Sequence, residues 1–205
     1  MKALIFDFDG TIADSFETLL GIFEEITKRQ NKLTPKEVNE LRSKNLRGII
    51  TYLGIKRWQI PRMILAAKRR ISLKITFIKT FPGMPETLRQ LSQNGQKMYI
   101  LSTNSSDNIT KFLKKNGLDG YFEGIYGDIG LRSKSSAIKK IVRKEKLDKV
   151  DCAYIGDEVR DITAAKKAGV TSVGVTWGFN HAKAIKQSRP SLIANHPKNL
   201  VKLLK

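Results

Sequence analysis

The chain has 205 residues, 40% hydrophobic and 28% charged, enough to bury a substantial core as one domain or as a core with a small inserted domain. One cysteine, Cys152, excludes a disulfide-stapled module, and its apolar neighbours mark it as a buried thiol rather than a reactive one. Lys and Arg total 38 against 19 Asp and Glu, a net +19 that favours anionic partners or substrates and, taken alone, suggests nucleic acid. The apolar amino terminus reaches Asp7 too soon for a secretory segment. No stretch approaches the roughly 18 apolar residues of a membrane span, so a soluble, cytoplasmic protein without a membrane partner is expected.

Residues 2–6 form an apolar β-run that ends in alternating carboxylates, Asp7-Phe8-Asp9, before Gly10-Thr11. This places Asp7 at the carboxyl end of a buried strand and Asp9 in the turn beyond it. Phe16, Leu19, Leu20, Phe23 and Ile26 then recur at helical spacing over 15–32, with Asp14 or Ser15 as cap. Thr34-Pro35-Lys36-Glu37 opens another helix, and further helices are predicted over 46–53 and 57–75. After the break at Phe81-Pro82-Gly83 come a helix over 84–94, a strand over 97–101, the polar turn Ser102-Thr103-Asn104-Ser105 and a helix stopped at Asn116-Gly117. A short strand within 121–126, a basic helix over 135–145, a strand over 152–155 and a helix over 161–168 stopped by Gly169 follow. Val173-Gly174-Val175 and Leu192-Ile193 are the last expected strands, and 197–204 a terminal helix.

Strand and helix alternating at this spacing predict an α/β fold, a parallel sheet covered on both faces, with the helical block inserted after the first strand. In such a sheet the carboxyl ends of the strands converge, so Asp7/Asp9, Ser102 to Ser105, Arg132-Ser133-Lys134 and Gly156-Asp157-Glu158 with Asp161 can line one pocket. Carboxylates crowded there repel one another unless a hard cation neutralises them, and oxygen-only ligation favours Mg2+. The constellation reads as a metal-dependent phosphoryl-transfer site. His181 and His196 lack partners at metal-ligand spacing, and no Rossmann fingerprint or Walker loop is present.

Phe6-Asp7-Phe8-Asp9-Gly10-Thr11 resembles the first motif of the haloacid dehalogenase superfamily, Leu101-Ser102-Thr103-Asn104 its second, Lys134 its third and Ile155-Gly156-Asp157-Glu158-Val159-Arg160-Asp161 its fourth. The chain is similar to the phosphoglycolate phosphatase and β-phosphoglucomutase-like branch, and Val175-Thr176-Trp177-Gly178-Phe179 adds to that likeness. Lys134 is followed by Ser135, where proline is common in the family. The resemblance implies a Rossmann-like core over 1–13 and 81–205 with an α-helical cap over 14–80.

It further implies that Asp7 is the nucleophile and Asp9 the acid and base, a pairing that favours a phosphatase over a dehalogenase. Thr103 and the Asn104 backbone N–H would bind phosphate, with Gly10 at the substrate, while Lys134 offsets charge on Asp7. Asp7, Asp9, Asp157 and Asp161 would serve Mg2+, Asp161 through water or by orienting Lys134, with Glu158 in a supporting or solvent-facing place. The cap segment carries 15 Lys or Arg and 6 Asp or Glu, and Arg47 in Leu46-Arg47-Gly48 could grip a substrate carboxylate or a second phosphate, though a solvated helix-face arginine is the plainer reading. Lys68-Arg69-Arg70 could steer polyanions, and Trp58 and Trp177 read as packing residues. The expected activity is Mg2+-dependent hydrolysis of a small phosphorylated metabolite, phosphoglycolate first, by a monomer or weak homodimer. Alternatives are a nucleotide or sugar-phosphate phosphatase, or a weakly catalytic polyanion-binding protein of the same fold.

Overall fold

The computed structural model describes residues 1–27, 32–44, 46–130 and 133–205, with the side chains of Leu46, Arg47 and Arg57 outside that description. In chain order the elements are β1 (Ala3–Phe6), α1 (Phe16–Thr27), α2 (Pro35–Leu41), α3 (Leu46–Tyr52), α4 (Ile60–Lys74), α5 (Met84–Gln93), β2 (Lys97–Leu101) and α6 (Ser106–Lys115). They continue with β3 (Gly124–Tyr126), α7 (Lys134–Lys144), β4 (Cys152–Gly156), α8 (Val159–Ala168), β5 (Thr171–Val175), α9 (Ala182–Gln187), β6 (Leu192–Ala194) and α10 (Asn199–Leu203). The six strands form one parallel sheet in the order β3-β2-β1-β4-β5-β6. The expected α/β core with an inserted helical subdomain, α1 to α4, is present.

Successive residues of a strand face opposite sides of the sheet, and both sides here are apolar. Leu4 and Phe6 join Met98, Ile100, Ala153, Ile155 and Val173 under α5, α6 and α10, whereas Ala3 and Ile5 join Tyr99, Leu101, Cys152 and Tyr154 under α7 and α8. β1 is buried at all four positions, so it cannot lie at a sheet edge, and its carboxyl end opens at the point where strand order reverses.

The insertion leaves and rejoins the core at neighbouring backbone positions. Ala13 bridges antiparallel to Thr80, Asp14 N–H donates to Lys79 O at 2.9 Å, and Phe81 N–H donates to Ile12 O at 3.2 Å. Ile22 of α1 and Ile71 of α4 reach the core cluster, while Phe16, Leu20, Leu33 and Leu41 form a smaller cluster within the insertion.

Several local expectations shift. The single helix predicted over 57–75 is a 3-10 turn (Arg57–Gln59), α4, and a second 3-10 turn (Ile75–Phe77). Pro61 lies in the first turn of α4, where its missing N–H costs nothing, so the helix starts afresh there. The helix predicted to reach residue 32 is described to Thr27, and 28–31 lie outside the description. Residues 119–121 form a 3-10 turn, leaving the strand only three residues, and α9 had no counterpart among the predicted elements. Trp58 is 73% exposed instead of packed. Among the described residues no helix is long and apolar enough to cross a membrane.

Candidate active site

Asp7 extends the β1 ladder by one residue, its N–H donating to Ile155 O at 2.8 Å, and so stands at the strand's carboxyl end with its side chain buried. Immediately beyond, the N–H groups of Ile12 and Ala13 donate to Phe8 O, curling the chain so that Asp9 returns toward Asp7's side of the pocket. The curl needs Gly10 at φ +78°, and a Cβ there would lie 2.3 Å from Asp157 Oδ2. Gly178 makes the same close approach from the other wall, where a Cβ would lie 2.3 Å from both Asp157 Cβ and Gly10 O.

Lys134 begins α7 and is buried, with Nζ 2.6 Å from Asp7 Oδ2 and 2.5 Å from Asp161 Oδ1. The free oxygen of each carboxylate is also used: Phe8 N–H donates to Asp7 Oδ1 at 2.8 Å, and Glu158 N–H donates to Asp161 Oδ2 at 3.0 Å. Asp157 is held by the Thr11 hydroxyl on Oδ1 at 2.8 Å and by Phe179 N–H on Oδ2 at 2.7 Å. These constraints fix all three carboxylates, and one oxygen of each of Asp7, Asp157 and Asp161 lies within 4.8 Å of the other two.

Asp9 is oriented differently. Asn104 Nδ2 donates to its Oδ2 at 3.1 Å, and Asn104 is itself clamped as its Oδ1 accepts from Asn108 Nδ2 and Ser105 N–H. Asp9 Oδ1 is buried without a partner. The Asn104 backbone N–H, expected to face phosphate, donates to Ser102 Oγ at 3.1 Å. Thr103 sits half-buried at the same strand end.

Electrostatics follow from crowding. Burial pushes the Asp7 carboxyl up to about 7 against the pull of Lys134. Burial, with repulsion from Glu158, Asp161 and Asp7, holds Asp157 well above the usual carboxylate range. Burial also raises Asp9, opposed by the Asn104 amide. Lys134 is desolvated, yet Asp161 and Asp7 keep its ammonium firmly charged. Arg160 pairs with Glu158 at 2.5 Å. Among the described residues, Asp7, Asp9, Asp157, Glu158 and Asp161 thus face Lys134 and Arg160, an excess of acidic groups that a divalent cation would neutralise. The all-oxygen donor set of Asp7, Asp157 and Asp161 fits Mg2+, and the orphaned Asp9 oxygen lies outside that set.

Asp7, Asp9, Gly10, Asn104, Lys134, Asp157 and Asp161 therefore converge at one end of the sheet. Arg47 lies in α3, with its side chain outside the described residues, as does all of Arg132. Thr11, Phe179 N–H and Asn108 hold functional carboxylates or their partner, and sequence reasoning gave none of them that part. Thr11 and Phe179 stood inside quoted motifs, so position was the available signal.

A family model described as haloacid dehalogenase-like hydrolase matches residues 4–175. A phosphoglycolate phosphatase of Synechococcus elongatus is 32% identical over 203 residues, covering 98% of this chain and 96% of its own. Among solved structures, a haloacid dehalogenase-like family hydrolase of Streptococcus pneumoniae superposes with a TM-score of 0.84 at 21% identity, covering 100% of this chain and 99% of that one. A haloacid dehalogenase-like hydrolase of Bacteroides fragilis gives 0.83 at 25% identity, covering 97% and 99%.

Proposed function

The chain belongs to the haloacid dehalogenase-like hydrolases, with the buried aspartates of a phosphatase of that family, and from this premise we propose that it hydrolyses a small phosphomonoester with Mg2+ through an aspartyl-phosphate on Asp7. The observation that carries the reading is Lys134 Nζ bridging Asp7 Oδ2 and Asp161 Oδ1 beside a second buried carboxyl two residues from the first.

Asp7 attacks phosphorus, and its carboxylate is aimed by Phe8 N–H on one oxygen and Lys134 on the other. Burial favours the protonated form of Asp9, as donation to the departing alkoxide requires, and Asn104 fixes its orientation. Asp9 then takes a proton from the water that attacks the acyl phosphate and frees Asp7. Asp7 and Asp157 would hold Mg2+, with Asp161 and the turn at Asp9 beside it; when bound, the ion supplies charge neutralisation at the phosphoryl oxygens. Thr103 and Lys134 would contact the equatorial oxygens, Gly10 would lie against the substrate and Arg47 would reach it from the cap. The catalytic core would comprise 1–13 and 81–205 and the cap 14–80, a division supported by the paired linkers at Ala13 and Thr80. A cytoplasmic setting is supported by the free, buried thiol of Cys152.

Phosphoglycolate is the first substrate to test, on the strength of the name carried by the Synechococcus relative. The experiment measures Mg2+-dependent phosphate release from phosphoglycolate, nucleoside monophosphates and sugar phosphates, with Asp7→Asn as control. Turnover abolished by that substitution supports the hydrolase and lets the ranking choose the ester. Turnover that survives it excludes Asp7 as nucleophile.

A further inference from the structure

Between residues 41 and 85 the sequence contains eleven Lys or Arg and no Asp or Glu. Apart from Arg47, proposed to reach the substrate, and Arg42, which bonds Gly178, the catalytic reading gives this stretch no task beyond covering the site. Its centre is α4, whose inner side sends Ile71 into the core and whose neighbouring turn buries Ile75. On the outer side, Arg62, Leu65, Arg69 and Leu73 recur at steps of three and four residues, which places them in one stripe. The flanking 3-10 turns extend the stripe with Trp58, four residues before Arg62, and Phe77, four after Leu73.

All six are exposed, Trp58 by 73%, Leu65 by 53%, Leu73 by 77% and Phe77 by 82%. The surrounding cations divide into two groups. Arg70 and Lys74 are engaged by Glu25, at 3.5 and 2.6 Å, and Lys68 by Asp128 at 3.3 Å. Arg62 and Arg69, the two in the stripe, have no ion pair among the described residues. Large apolar side chains therefore alternate with unneutralised guanidinium groups along about 28 Å of surface, taking 1.5 Å per residue.

We propose that this stripe docks the protein on an anionic lipid bilayer, lying in the headgroup plane. Trp58, Leu65, Leu73 and Phe77 would enter the acyl boundary, while Arg62 and Arg69 stay at the lipid phosphates on their long aliphatic stems. The chemistry selects this partner over two others. Leu65 and Leu73 gain nothing against a nucleic-acid backbone, whose non-specific affinity is electrostatic. A second copy of this face offers no carboxylate between residues 41 and 85 to pair with the two arginines. A bilayer with anionic headgroups satisfies both halves of the pattern at once.

The test mixes the full chain with phosphatidylcholine vesicles, with and without phosphatidylglycerol, and measures co-sedimentation against salt. Partition to phosphatidylglycerol vesicles alone is expected, with a blue shift of Trp58 fluorescence that disappears in Trp58→Phe. Each of Arg62→Gln and Arg69→Gln should weaken binding about fivefold. Leu65→Ser with Leu73→Ser should weaken it at least about tenfold, with the melting temperature confirming that these exposed positions leave the fold intact. No partition of the folded protein overturns the proposal. So does binding that ignores the leucine substitutions, or tighter binding to DNA, which assigns the face to nucleic acid. None of these readouts depends on phosphatase activity.

Discussion

Arg42, which caps the C-terminus of α2, donates through a guanidinium nitrogen to Gly178 O at 2.8 Å, tying the inserted helices to the wall of the aspartate cluster. The same guanidinium lies 3.9 Å above the Phe16 ring, which meets Phe179 edge-on at 5.3 Å. Phe179 N–H is one of the two donors that hold Asp157. The backbone of Arg42 is also an acceptor, for His181 N–H and Asn180 Nδ2 at 3.4 Å each. A chain of contacts therefore runs from the inserted helices to the candidate metal ligand.

Arg42→Ala is expected to raise the Mg2+ concentration needed for half-maximal activity by about tenfold, the size of a lost charge-assisted hydrogen bond. Calorimetric Mg2+ binding should shift in parallel, and Arg42→Lys should recover part of the loss. An unchanged Mg2+ midpoint in Arg42→Ala would show that Asp157 is held without help from the cap.

Lys134 and Asp7 make complementary predictions. Lys134→Met removes the cation paired with Asp7, the proposed nucleophile, and kcat should fall about a hundredfold or more. It also leaves Asp7 and Asp161 buried without their counter-charge, so stability should drop by about 3–5 kcal/mol in denaturant titrations without Mg2+. Asp7→Asn should abolish turnover without a comparable loss of stability, since the amide carries no buried charge. Equal destabilisation by the two changes would contradict the bridging geometry.

Thr11→Val keeps the shape of the side chain and deletes the hydroxyl that reaches Asp157 Oδ1. The expected result is weaker Mg2+ binding, by about three- to tenfold, with KM for the ester little changed. Gly10→Ala is a harsher change, because the added carbon would collide with Asp157 and occupy a left-handed backbone conformation. It should eliminate activity while circular dichroism remains that of the native sheet. A fully active Gly10→Ala would refute the close packing of the two loops.

Cys152 gives a pH prediction away from the catalytic groups. Burial pushes its thiol up from an ordinary value of 9.0 to about 12. The unfolded chain ionises first as pH rises, so the stability conferred by the buried neutral thiol is complete below pH 9 and is lost as pH climbs toward 12. Urea midpoints should fall between about pH 8 and about pH 10.5, and less so in Cys152→Ala. The native protein should also resist thiol alkylation at neutral pH. Rapid labelling without unfolding would place Cys152 outside the core.

The carboxylate cluster was legible because its side chains are chemically rare in buried strand ends. Asp7 and Asp157 advertise themselves by ending apolar runs, and Asp9 and Asp161 follow them two and four residues later. What fixes them was mostly hidden. Phe179 donates to Asp157 through its backbone, and Gly178 receives Arg42 through its carbonyl, so neither side chain hints at the bond. Asn104 was expected to offer its backbone N–H to phosphate, but Ser102 Oγ accepts that hydrogen, and the side-chain amide faces Asp9. In the fold, long periodic helices and the strands β1, β2 and β4 were readable from pattern. Helix α9 was not, because six residues contain less than two turns of periodicity. Trp58 was read as packed because hydrophobicity predicts average burial, and the exposed stripe departs from that average.

The junction at Ala13 and Thr80 joins the two ends of the insertion across one backbone bridge. Beyond the apolar contacts of Ile22, Ile71, Ile75 and Ile78 and the Arg42 bond to Gly178, the core needs from the intervening 66 residues only that they begin and finish side by side. Such a doorway makes the helical roof an exchangeable part. Its length, charge and outer face can drift under one set of demands while the aspartate floor beneath answers to another, which lets a strongly basic exterior arise on an acidic reaction centre without either compromising the other.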